Sequence, residues 1–217
     1  MTEEEIELKE ERISKVRDIK SDFILDAALK VFSFKGIYDT RLEDIAAEAG
    51  FSKASLYNYY PNKETIIFNL ATREFEKFIG QLHNSQEYGI SQEQSFEENI
   101  RRYLLLSFKT FGEHFHFLVG MNVIEILKNQ NPNSVEQLEH NFYCLKELRD
   151  ENGLLKILSW AREKGEIISE FSDARLCRLI DAAIIGTIHD WMHEKKVGDI
   201  ENTTENLCEL LMNGMRR

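Results

Sequence analysis

The chain has 217 residues, 42% of them hydrophobic, and a formal net charge of −11. That hydrophobic share is enough to bury a real core and excludes global disorder, while the acidity by itself argues against a nucleic-acid binder. Only two prolines occur, Pro61 and Pro132, so long helices meet few interruptions and an all-α fold is predicted.

A charged start, Glu3 to Arg12, reads as a loosely helical arm. From Ile13 the apolar rhythm becomes helical, through Val16, Ile19, Phe23, Ile24, Ala27, Ala28, Val31 and Phe32, and stops at Gly36. Thr40, Arg41, Leu42 and Glu43 read as a capping box for a short helix that ends at Gly50. Ser52 caps a third helix, Lys53 to Tyr59; Pro61 stops it, and Asn62 caps a fourth that runs from Lys63 to about Asn84. Further helices are predicted over 92–111, 113–127, 134–164 with a kink at Gly153, 172–196 and 200–215.

No run reaches about 18 apolar residues, so no membrane span is predicted. The N-terminus lacks the pattern of a secretory signal. Cys144, Cys177 and Cys208 are odd in number and far apart, matching neither a disulfide framework nor a zinc site. A reducing, cytoplasmic setting is the expectation.

The acidity is unevenly spread. Residues 1–11 carry −5, residues 12–80 carry +1 and residues 81–217 carry −7. A near-neutral segment can bind DNA when its few cations point one way. Within it, Leu42 to Tyr59 holds two short helices joined by Ala49, Gly50, Phe51 and Ser52. A small residue at Ala46, Gly50 four later and Leu56 six after that is helix-turn-helix spacing. Such a unit lays its second helix in the major groove. The reading surface is then Lys53, Ala54, Ser55, Tyr57, Asn58 and Tyr59. Asn58 suits a base edge and Ala54 a thymine methyl, with Lys53 for a guanine edge or a phosphate. Ser55, Tyr57 and Tyr59 suit phosphate oxygens. Thr40, Arg41, Ser52 and Lys63 stand at helix starts, where free N–H groups favour anions. The basic set Lys15, Arg17 and Lys20 is open to a minor-groove or backbone role as well as to plain surface.

These residues fall into one longer pattern: Ile24, Leu25, Ala27, Ala28 and Phe32; Gly36 and Thr40; Asp44, Ile45 and Ala46; Ala49 to Ser52; Leu56 to Tyr60; Lys63 and Glu64. Over residues 18–78 it resembles the DNA-binding domain of the TetR family of bacterial repressors. Tyr60 stands where the family usually has Phe, and Arg41 where a second Thr is common. The resemblance implies an all-helical homodimer, a palindromic operator of double-stranded DNA, and release when a small-molecule effector binds the body. It divides the chain into an arm at 1–17, a DNA-binding domain at 18–78 and an effector-binding and dimerisation domain at 79–217. It implies no enzymatic activity and no cofactor.

In the body, aromatic density marks a candidate effector pocket: Phe96, Tyr103, Phe111, His114, Phe115, Met121, Phe142 and Trp160. Such residues line apolar cavities but also fill ordinary cores. An apolar or aromatic effector is expected. Leu176 to Trp191 is apolar nearly all round and must be covered on every side. Ala182, Ala183, Ile185, Gly186 and His189, with Leu207 and Leu211 on the last helix, are predicted to form a two-fold four-helix interface. Glu113 and His116 form one E-x-x-H pair, and this leaves a helical metal-bundle oxidase as the alternative. Such bundles use two of these motifs, so no metal site is expected.

Overall fold

Residues 3–35 contain neither Gly nor Pro, and in the computed structural model they give one uninterrupted helix, α1 (Glu3–Lys35). The structure describes residues 3–112, 151–194 and 196–215. Helix α1 starts ten residues before the predicted rhythm at Ile13. Glutamates at its N-terminus favour the positive end of the helix dipole, and once nucleated a helix extends through any run without breakers. The other helices are α2 (Leu42–Ala49), α3 (Lys53–Tyr57), α4 (Lys63–Asn84), α5 (Phe96–Gly112), α6 (Leu154–Glu163), α7 (Asp173–Glu194) and α8 (Ile200–Met215). Among the described residues there is no strand. The fold is all-α, with a three-helix N-terminal helix-turn-helix region.

The chain divides into two compact units, Met1–Ala71 and Thr72–Arg217. In the first, α1 packs against α2, and α2 against α3. Ile24, Ala28 and Phe32 from α1, Ile45 from α2, Leu56 from α3, and Ile66 and Leu70 from α4 are completely buried. Ser21 and the Tyr60 hydroxyl share a 2.5 Å hydrogen bond, which pins the turn after α3 to α1. Asn62 caps α4, its Oδ1 accepting from the Thr65 N–H at 2.8 Å.

The turn between α2 and α3 depends on Gly50, whose φ is +72°. Gly50 N–H donates to Ala47 O and Phe51 N–H to Ala46 O, the closure of a left-handed C-terminal cap. A Cβ at Gly50 meets nothing within 4 Å, so the backbone conformation alone demands glycine. Gly50→Val is expected to destabilise the N-terminal unit by about 1–3 kcal/mol through a forced positive φ. A thermal melt followed by circular dichroism checks it, and an unchanged midpoint would place the turn's constraint elsewhere.

In the second unit, α5 is the central helix, and α6, α7 and α8 all pack on it. Phe96, Tyr103 and Phe108 of α5 are buried. The Tyr103 ring meets Phe78 edge-on at 5.6 Å, and Phe108 meets Trp191 of α7 at 5.4 Å. Arg162 ties the end of α6 to the start of α7, donating to Asp173 Oδ1 at 2.8 Å and to Phe171 O at 2.8 Å. Among the described residues no helix is long and apolar enough to cross a membrane.

Candidate nucleic-acid interface

Helix α3 is a single short rod set by its caps. Ser52 accepts from the Ser55 N–H at 3.1 Å, satisfying one of the free donors at the helix start. The helix ends at Tyr57, so Asn58 is its C-cap and Tyr59 follows in a turn, two residues short of the predicted end. Leu56 is completely buried and seats the rod. Lys53, Ala54, Tyr57 and Asn58 are exposed, and Tyr59 is half-buried with its ring edge-on to Phe51 at 6.0 Å. This leaves one amide, one ammonium, one methyl and one phenol on an outward surface about 7 Å long.

The Lys53 ammonium is paired with Glu43 of α2, and it also stands 5.8 Å from the Tyr57 ring centre. The hydrogen bond from Lys53 lowers the Glu43 carboxyl, and the same bond raises the Lys53 ammonium. Both groups are exposed, so an incoming phosphate or guanine exchanges this partner at little cost. Ser55 shares its hydroxyl with Ser52 at 2.8 Å, an interaction local to the cap. Arg41 is exposed and starts α2, where its N–H donates to Asp44 Oδ2 at 2.9 Å.

Two expected contact residues are engaged elsewhere. Thr40 does not cap α2: it is 2% exposed, and its hydroxyl donates to Gly36 O at 2.7 Å. The cap falls one residue later, on Arg41. The Lys63 ammonium, half-buried, donates to the carbonyls of Ile37 at 2.7 Å and Thr40 at 3.0 Å. Burial pushes its pKa below the usual lysine value, with Glu64 and Asp39 acting the other way. The phosphate contact expected of that ammonium would need those bonds broken. Lys63→Ala is therefore expected to lower stability by about 1–3 kcal/mol, through orphaned buried acceptors. The salt dependence of DNA binding should stay as in the wild type. A slope flatter by about one unit, with an unchanged melt, would return Lys63 to the phosphates.

This geometry joins a capped helix, a glycine turn and an exposed rod within 18 residues. The sequence profile of bacterial regulatory proteins of the tetR family matches residues 24–70. The fatty acid metabolism regulator protein of Bacillus subtilis is 28% identical over 201 residues, covering 88% of this chain and 93% of that one. The HTH-type transcriptional repressor BepR of Brucella suis is 28% identical over 183 residues, 82% of each chain. The crystal structure of FadR from Bacillus subtilis in complex with stearoyl-CoA superposes with a TM-score of 0.67 at 19% identity, covering 88% of this chain and 97% of that one.

Residues 24–70 are a TetR-type DNA-binding segment.

With this segment the chain is a transcription regulator of TetR type. In its second unit, α7 turns one side inward: Leu176, Cys177, Ile180, Ile184, Ile188 and Trp191 are buried. The opposite side, with Leu179, Ala182, Ile185, Gly186 and His189, is exposed, and Ala183 is half-buried. On α8, Leu207 and Leu211 are half-buried and Leu210 is 67% exposed. Every predicted pairing residue is thus at least partly accessible in the isolated chain.

The predicted pocket set is assembled only in part. Phe96 and Tyr103 lie on α5, two turns apart and buried in the core. Trp160 lies on α6, half-buried, with Lys156 at 5.4 Å from its ring centre. His114, Phe115, Met121, Phe142 and the side chain of Phe111 lie outside the described residues. So do Glu113 and His116, on which the metal-bundle alternative rested. Among the described residues no group of three His, Cys, Asp or Glu could hold a metal ion.

One surface was read only in part from the sequence, which singled out Arg17 and Lys20 but not Lys9 and Arg12. Lys9 and Arg12 share a groove with Arg17, Lys20 and α3. Their signal was the spacing 9, 12, 17 and 20, hidden within a stretch that reads as a charged arm.

Proposed function

We propose that the protein is a homodimeric repressor that leaves a palindromic operator when an apolar effector, of the fatty acyl class, binds its C-terminal unit. The outward presentation of Lys53, Ala54, Tyr57 and Asn58 on a rod fixed by Gly50 and Ser52 carries the DNA-binding part. Asn58 and Ala54 read bases, while Lys53, Tyr57 and Tyr59, with the N-termini of α2 and α4, hold phosphates. The exposed apolar sides of α7 and α8 support pairing through a two-fold interface. Two rods then meet successive major grooves, about 34–36 Å apart.

The effector class follows from two supports. The Bacillus subtilis relative is named for fatty acid metabolism, and a neighbour of the same fold holds stearoyl-CoA. In this chain Phe96, Tyr103 and Phe108 give the C-terminal unit an aromatic interior suited to an alkyl chain. Helix α4 belongs to both units, so an effector that prefers one setting of α4 changes the spacing of the rods.

The test begins with duplex selected from a random library by the full-length protein, followed by gel-shift titration at low salt. Stearoyl-CoA should release the bound duplex, and coenzyme A without an acyl chain should not. Failure to select any duplex would overturn the DNA-binding reading. Selection without release by any acyl-CoA would overturn the effector class alone.

A further inference from the structure

The N-terminal half of α1 does more than lengthen a helix. Residues 9, 12, 13, 16, 17 and 20 recur at helical spacing on one face, and they form one wall of a groove of 620 Å³. The other wall is the helix-turn-helix itself, including Ser55 and Asn58. Lys9, Arg12, Arg17 and Lys20 all line this groove. The acids of the same stretch, Glu11, Asp18 and Asp22, do not, and Lys15, also off this face, is paired with Glu11 at 2.7 Å. Among the described residues no carboxylate pairs with any of the four groove cations.

A chain of net charge −11 thus directs four cations toward its base-reading helix. Between them Ile13 and Val16 remain 59% and 51% exposed. Charged heads beside bare aliphatic side chains suit an occupant that alternates phosphates with sugar carbons. The cation stripe runs about 16 Å from Lys9 to Lys20, enough to follow several successive phosphates. Its direction is fixed, because the same helix continues into the buried residues Ile24, Ala28 and Phe32. The family profile begins only at residue 24, so this stripe lies outside the segment matched to the family.

We propose that the groove between the N-terminal half of α1 and α3 cradles the sugar–phosphate backbone of the DNA strand beside the major groove that α3 enters. The inference rests on the DNA-binding reading above and adds a second contacting element to it. The stripe grips phosphates outside the base-reading contacts, lengthening each half-site footprint without changing the sequence preferred.

The experiment uses the full-length protein and the duplex it selects from a random library. Binding is titrated against potassium chloride for the wild type, for K9Q/R12Q/R17Q/K20Q and for K15Q, with circular dichroism on each. The quadruple variant should lower the slope of log affinity against log salt by about 0.9 for every phosphate it no longer neutralises, about 2 to 4 in all. It should select the same motif, and its hydroxyl-radical footprint should shorten at the outer edges. K15Q should match the wild type. If the quadruple variant loses helix content, R12Q/R17Q replaces it, with about half the slope change expected. An unchanged slope and footprint, or an equal loss in K15Q, overturns the proposal while leaving DNA binding intact. A wild type that selects no duplex overturns the underlying reading instead. A slope change accompanied by a new selected motif also overturns the proposal, since it would make the stripe a base reader.

Discussion

Ile185→Glu is expected to give a folded monomer whose affinity for the selected duplex falls by about 10²–10⁴-fold. Ile185 is 56% exposed in the isolated chain, while its neighbour Ile184 is 5% exposed. A carboxylate at 185 therefore costs little within one protomer. In a two-fold interface it is buried apart from water and stands near its own copy, which costs far more than an apolar contact yields. Loss of pairing removes the second reading head, and with it the gain from bivalent attachment. Sedimentation equilibrium reads the assembly and gel shift reads the DNA. Ile184→Glu is the contrasting variant, since it charges the core and should unfold the C-terminal unit. A dimeric Ile185→Glu protein with wild-type DNA affinity would remove α7 from the interface.

Asn58→Ala is expected to lose sequence discrimination while keeping weak, salt-sensitive DNA binding. Asn58 is exposed, and among the described residues its side chain has no hydrogen-bond partner, so its removal leaves the head intact. Each bidentate amide–adenine pair contributes about 1–3 kcal/mol of discrimination, and a symmetric dimer carries two. The ratio of affinities for selected over scrambled duplex should fall by about 5- to 150-fold per half-site. Affinity for scrambled DNA should stay unchanged, because phosphate contacts supply it. A preserved ratio would hand base reading to another residue on α3.

Folded geometry shows why these two variants separate. Asn58 sits at the end of a rod defined by local signals, and its exposure follows from the seating of Leu56. Ile185 lies on a helix that is apolar on nearly every side, where the small residues Ala182, Ala183 and Gly186 are the sequence's hint of the outward side.

The sequence alone determined the elements of the head. Gly50 for a positive φ, Ser52 and Asn62 as caps and Pro61 as a stop act within four residues, so α2, α3 and the start of α4 were legible without tertiary information. The resemblance read over residues 18–78 meets the family profile at residues 24–70 for the same reason, since its motif consists of these local devices and the core they seat. Tertiary structure alone decided the long-range choices. The Lys63 ammonium serves carbonyls 23 and 26 residues earlier, and Thr40 turns inward to Gly36. Lys9, Arg12, Arg17 and Lys20 face α3 only because α1 runs unbroken from its charged start into the core. Capping and turn signals are encoded by neighbours in sequence, whereas the side of a helix that meets solvent is set by what packs on its other side.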